Sequence, residues 1–134
     1  LNLPHVEPNI HTPDCRPLPP NAAGDELRRS SMALVLTNPN AKGMMTTKFF
    51  EALGCEKPIL CTPSDNGLLT KTIRDTNAGL ASSDMDEIKA FILEKYQEWQ
   101  QNGFTRQVVI NKEQFSRQQQ AQQFEQLFMQ CSKR

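Results

Sequence analysis

Thr46, Thr47, Lys48 and Glu51 fall within six consecutive positions, preceded by Gly43 and Met45. Two threonines before an apolar pair, Phe49-Phe50, read as a helix start, and the first N–H groups of a helix have no partner inside it. Those donors need a cap, water or an anion, so Met45, Thr46 and Thr47 could cradle a phosphate group. Gly43 would let the preceding loop bring its backbone close to such a ligand. Lys48 is out of place electrostatically. A cation in the first turn opposes the helix dipole at a cost of about 0.3–1 kcal/mol, which a bound pyrophosphate would convert into attraction. Glu51 stands at capping-box spacing from neither threonine. A carboxylate there could accept two hydroxyl hydrogen bonds from a ribose whose phosphates rest on the helix end.

These residues also have an ordinary reading, in which Thr46 is a simple N-cap stapled by Met45 and Phe50, and Lys48 and Glu51 are solvated charges. Taken one at a time the ordinary reading prevails. Their joint position between two apolar strands favours a ligand site. Phe49 and Leu53 belong to the core.

The elements that must hold this turn alternate along the chain. Residues 1–20 contain six of the nine prolines and read as an extended lead-in, with at most a short strand near residues 16–18. Asn21 is the expected cap of a helix running to Ser30, with Asp25 and Glu26 early and Arg28 and Arg29 late. Residues 33–37 form an apolar run typical of a strand buried on both faces, closed by Asn38-Pro39-Asn40. A helix over residues 47–54 should end in a left-handed cap at Gly54. Residues 58–61 make a second buried strand, residues 64–67 a turn, and Leu68, Leu69 and Ile73 one face of a helix ended by Asn77-Ala78-Gly79. A short strand follows at Leu80.

From Asp84 the pattern is helical. Asp84 and Glu87 form a capping box, and Ile88, Phe91, Ile92, Tyr96 and Trp99 recur on one face as far as Gly103. Residues 104–112 combine a strand-favouring Val108-Val109-Ile110 with polar flanks, and are read as a short helix. Ser116 and Gln119 open a last helix lined by Ala121, Phe124, Leu127, Phe128 and Cys131, with glutamines facing solvent. The fold class is therefore α/β: a Rossmann-like parallel sheet of three to four strands, covered on both faces, with amphipathic C-terminal helices. Residues 21–134 form the domain and residues 1–20 its lead-in.

The chain has 134 residues, about one domain's worth, and its fifteen basic side chains equal its fifteen acidic ones. That balance gives no general attraction to nucleic acid or to an anionic membrane. No stretch is apolar enough to span a bilayer, and the N-terminus lacks a secretory pattern. Cys15, Cys55, Cys61 and Cys131 show no zinc-type spacing and read as reduced thiols, which fits the cytosol. His5, His11 and Cys15 lie in a proline-rich stretch with no frame for a metal. The start at Leu1, without an initiator methionine, suggests part of a longer polypeptide.

The segment Thr46-Thr47-Lys48-Phe49-Phe50-Glu51-Ala52-Leu53-Gly54-Cys55-Glu56-Lys57-Pro58-Ile59-Leu60 resembles the nucleotide-sugar-binding segment of group 1 glycosyltransferases with the GT-B fold. The family's usual form is proline-threonine-lysine, an apolar pair, glutamate and a short helix ending in glycine-lysine-proline. Residues 74–80 and 111–116 are similar to later family landmarks and fall in the right order, so the resemblance covers residues 25–134. It implies that Glu51 holds the donor's ribose hydroxyls, that the backbone of Met45, Thr46 and Thr47 receives the diphosphate, and that Lys48 is the lysine that often follows the threonine. Many members carry another glutamate eight positions before the ribose-binding one, where this chain has Gly43. The sugar-contacting role is thereby left without an owner.

The implied function is donor binding in a glycosyltransferase that moves a sugar from a nucleotide diphosphate to an acceptor, in cell-envelope glycan assembly. The donor is the substrate, and no further cofactor or metal is implied. An N-terminal acceptor-binding domain of the same protein is the expected partner, with peripheral membrane contact through that part. The setting is the cytoplasm, at the inner face of the membrane, and the 134 residues alone should transfer no sugar. A competing reading is a noncatalytic doubly wound interaction module, although the acidic cluster of a receiver is missing at residues 37–38 and 61–62. A nucleotide-sugar epimerase is a third, without its expected histidine and acidic residues.

Overall fold

The computed structural model describes residues 19–38, 40 and 43–132. Its elements are α1 (Pro20–Arg29), β1 (Ala33–Leu36), α2 (Thr47–Gly54), β2 (Ile59–Thr62), α3 (Leu68–Asp75), β3 (Gly79–Ala81), α4 (Met85–Asn102), a 3-10 turn (Lys112–Phe115) and α5 (Arg117–Ser132). The lead-in strand near residues 16–18 and the histidine and cysteine group of the lead-in lie outside the described residues.

The three strands run parallel in the order β1-β2-β3, with Ala33 opposite Ile59 and Ile59 opposite Gly79. This is an open Rossmann-like α/β sheet flanked by five helices. Strand neighbours that follow in sequence need a crossover, and α2 and α3 provide it. Both pack on one face of the sheet. Phe49, Ala52 and Leu53 of α2 and Leu69 and Ile73 of α3 close over Ala33, Val35, Ile59, Cys61 and Ala78 in a single buried cluster. Gly79 permits the β2–β3 pairing: its φ is 154°, and a Cβ there would come 2.0 Å from the carbonyl oxygen of Ile59.

The opposite face differs from the expectation of a fully covered sheet. Side chains alternate along a strand, so Leu34, Leu36, Leu60 and Leu80 point away from α2 and α3. Leu60 is buried, whereas Leu34 is 56% and Leu36 71% exposed. β1 is thus buried on one face only, at the sheet's edge. Its apolar run reports strand propensity, and the second layer stops short of it.

Helix ends show two further corrections. α1 begins at Pro20 and not after an Asn21 cap, because a proline at the first helical position needs no N–H partner and presets φ. α2 does end at Gly54, but the left-handed residue is Glu56, with φ of 53°. Leu68 is also exposed, while Leu69 and Ile73 of the same helix are buried.

Residues 104–111 form no helix. They run as an extended strap across the amino ends of the strands, with hydrogen bonds to three different loops. The Thr105 hydroxyl donates to the carbonyl of Ser31, Gln107 N donates to the carbonyl of Glu56 at 3.0 Å, and Ile110 N to that of Thr76 at 2.9 Å. Asn77 and the strap exchange two more bonds, Asn77 Nδ2 to the Val108 carbonyl at 2.9 Å and Gln107 Nε2 to the Asn77 carbonyl at 2.8 Å. Helical bonding would leave those three loops unpaired.

α4 is capped by Asp84, whose carboxylate accepts from Asp86 N at 2.8 Å and Glu87 N at 3.0 Å. Glu87 leaves the box and accepts from the Ser82 hydroxyl at 2.5 Å. Along the apolar face of α4 only Ile88 is buried, and Ile92, Tyr96 and Trp99 remain exposed. α5 is opened by Ser116, which accepts from Gln119 N at 3.1 Å, and has no buried residue. Among the described residues no helix is long and apolar enough to cross a membrane.

Candidate functional site

All three strands deliver their carboxyl ends to the same edge, the usual ligand edge of open parallel sheets. β1 leads to Thr37 and Asn38, β2 to Pro63, Ser64 and Asp65, and β3 to Ser82 and Ser83. Cross-links tie this edge together. The Thr37 hydroxyl donates to the Pro63 carbonyl, and Ser64 N donates to Ser83 Oγ at 2.9 Å.

Two helices start here. α2 opens with Thr46, whose hydroxyl accepts from Phe49 N at 3.3 Å. Met45 and Phe50, the pair of the ordinary staple reading, are partly buried and pack against the core cluster. The cap uses one donor of the first turn. Among the described residues no acceptor is found for the N–H of Thr47 or Lys48. Gly43 is exposed, with a φ of 83° that favours glycine. Thr47, Lys48 and Glu51 are exposed, and among the described residues Lys48 and Glu51 have neither an ion pair nor a side-chain hydrogen bond. Gly43, Met45, Thr46, Thr47 and Lys48 are consecutive parts of one loop and first turn, and Glu51 follows one turn later. The chemistry available is a set of outward N–H donors, a cation and a carboxylate.

α3 starts differently, and this start was not singled out from the sequence. Asp65 is only 3% exposed, and its carboxylate accepts from Gly67 N at 3.0 Å, Leu69 N at 3.2 Å, Thr70 N at 3.0 Å and the Thr70 hydroxyl at 2.5 Å. Burial pushes the Asp65 carboxyl up, but the Thr70 hydroxyl and the N–H groups of Thr70, Gly67 and Leu69 outweigh it and hold it at about 2. The carboxylate is an internal anion on the α3 dipole. Its signal in the sequence is an aspartate just before Asn66-Gly67 and an apolar helix start, which the turn assignment of residues 64–67 absorbed.

Glu56 was also missed as an individual residue. It follows α2, and its carboxylate accepts from Arg106 Nη2 at 2.7 Å, from Arg106 Nε at 3.0 Å and from Lys112. Lys112 first and Arg106 second hold the Glu56 carboxyl below the usual carboxylate range. Cys55, Cys61 and Cys131 are free thiols, and burial pushes the Cys61 thiol up to about 11, so at neutral pH it is no nucleophile. Among the described residues no group of histidine, cysteine and acidic side chains could hold a metal. No protein-family model, curated protein or solved structure matches the chain.

Proposed function

We propose that this chain is the donor-binding part of a GT-B glycosyltransferase, and that the start of α2 receives the diphosphate of a nucleotide sugar. The observation that carries the reading is the pairing of an exposed, sparsely capped helix start with Lys48 and Glu51 at the carboxyl edge of the sheet. The backbone of Met45, Thr46 and Thr47 takes the phosphate oxygens, and Lys48 adds a positive charge beside them. Glu51 accepts the ribose hydroxyls. Transfer places negative charge on the departing diphosphate, and fixed N–H donors with a cation stabilise it without reorganising.

Catalysis then needs an acceptor site, and the acceptor domain of the same protein supplies it. Apolar surface is available for such a partner at Leu34 and Leu36, at Tyr96 and Trp99, and at Phe124 and Phe128. The chain by itself transfers no sugar. The setting that goes with this reading is the cytoplasmic side of a cell membrane, in glycan assembly.

A titration with uridine and guanosine diphosphates, followed by amide NMR, tests the reading. Shifts confined to residues 43–51 are expected. Unmoved amides at millimolar ligand would reject it. The second reading, a noncatalytic interaction module, is favoured by the same exposed apolar surfaces, and it predicts no shift with either nucleotide.

A further inference from the structure

α5 has no buried residue, and its substantial packing is on the 3-10 turn that precedes it. Phe115 of that turn packs against the core cluster and meets Phe50 of α2 at 5.7 Å between ring centroids, and Lys112 pairs with Glu56 just past the helix. A cleft of about 310 Å³ lies between α2 and the turn, lined by Phe50, Leu53, Gly54, Lys112, Glu113, Phe115 and Ser116. Glu56 meanwhile holds the strap at Arg106 through its carboxylate and at Gln107 N through its carbonyl, and the 3-10 turn at Lys112 through the same carboxylate. It does so from a left-handed backbone, which is uncommon for a residue other than glycine.

We infer that Glu56, just past the carboxyl end of the buried helix α2, is a latch that sets the direction of α5. The Glu56 and Lys112 side chains are about a quarter and a third exposed, so water and salt reach the ion pair. Strong salt should therefore loosen the latch. The inference stands apart from the donor reading, because no ligand takes part in it.

The test uses the full chain with Cys15→Ser and Cys55→Ser, a nitroxide on the exposed Cys131 and a second on Arg74→Cys of α3. Pulsed dipolar EPR then reads the distance distribution between α3 and α5. A narrow distribution is expected in this background at low salt. Glu56→Gln should at least double its width, as should Phe115→Ala or 1 M salt. Lys112→Met should broaden it less, and adding Lys112→Met to Glu56→Gln should add nothing, because both act on one link. A thermal midpoint within a few degrees of the parent separates a released latch from a damaged fold. Should Glu56→Gln fail to fold, Lys112→Met and salt still decide the matter. An unchanged width in folded Glu56→Gln, or in Lys112→Met together with high salt, overturns the inference. So does a broad distribution in the parent.

Discussion

α2 and α3 begin at the same edge of the same sheet, follow adjacent strands and cover the same face, yet their first turns are satisfied in opposite ways. At α3 a buried carboxylate from the chain itself takes four donors. At α2 a neutral threonine takes one, at 3.3 Å, and a lysine stands in the first turn. A helix dipole completed internally adds stability and has no further use for an anion. One whose donors find no acceptor among the described residues, beside a cation, gains little stability, and it is the one to test for a ligand. The difference marks α3 as structural and α2 as the start to probe.

The comparison breaks first at Asp65. Asp65→Ala strips an acceptor from four buried or half-buried donors and should cost about 3 kcal/mol, read by urea unfolding. A loss under 1 kcal/mol would mean that α3 is not closed from within. The same residue should govern acid stability. Its folded carboxyl titrates at about 2, below its ordinary 3.8, so its stabilisation is complete above about pH 4 and is lost as pH falls toward 2. The difference between those values corresponds to about 2 kcal/mol, and Asp65→Asn should flatten the stability profile across that window.

At α2 the expected effects on stability are smaller and those on ligand binding larger. Thr46→Ala should cost about 1 kcal/mol, less than Asp65→Ala by the same urea measurement. Lys48→Ala should stabilise the free protein by about 0.3–1 kcal/mol, since it removes a cation from the wrong end of a dipole, while weakening nucleoside diphosphate binding in calorimetry. A destabilised Lys48→Ala would point to a structural partner for the lysine. Glu51→Gln should leave stability within about 0.5 kcal/mol of the parent and lower nucleotide affinity about tenfold, the effect of one charge-assisted hydrogen bond. Equal affinity would remove Glu51 from the site.

Much of this architecture was legible in the chain because it depends on neighbours within a turn or a strand. The apolar runs at Ala33 and Ile59, the caps at Thr46, Asp84 and Ser116, and the core positions Phe49 and Leu53 are local patterns, and each is present. The candidate site residues are adjacent in sequence, so their proximity was legible as well. Glu56 shows where this stops. Its partners lie 50 and 56 positions away, and no spacing rule announces them. The helix reading of residues 104–112 failed for the same reason: Val108-Val109-Ile110 favours an extended chain and the polar flanks permit a helix, and only hydrogen bonds to three distant loops decide between them.

By itself, the sequence determined the alternation of strand and helix, and hence a parallel sheet whose strands end at one common edge, because periodicity and capping act over a few residues. Only the tertiary structure decided which apolar faces find cover. Periodicity says that α4, α5 and β1 have such faces, but burial belongs to whatever lies opposite. Leu34, Tyr96 and Phe128 stay exposed because no described residue fills that space. The contrast between the two helix starts was decided there too, since an aspartate in a turn becomes a buried anion only when the fold closes around it.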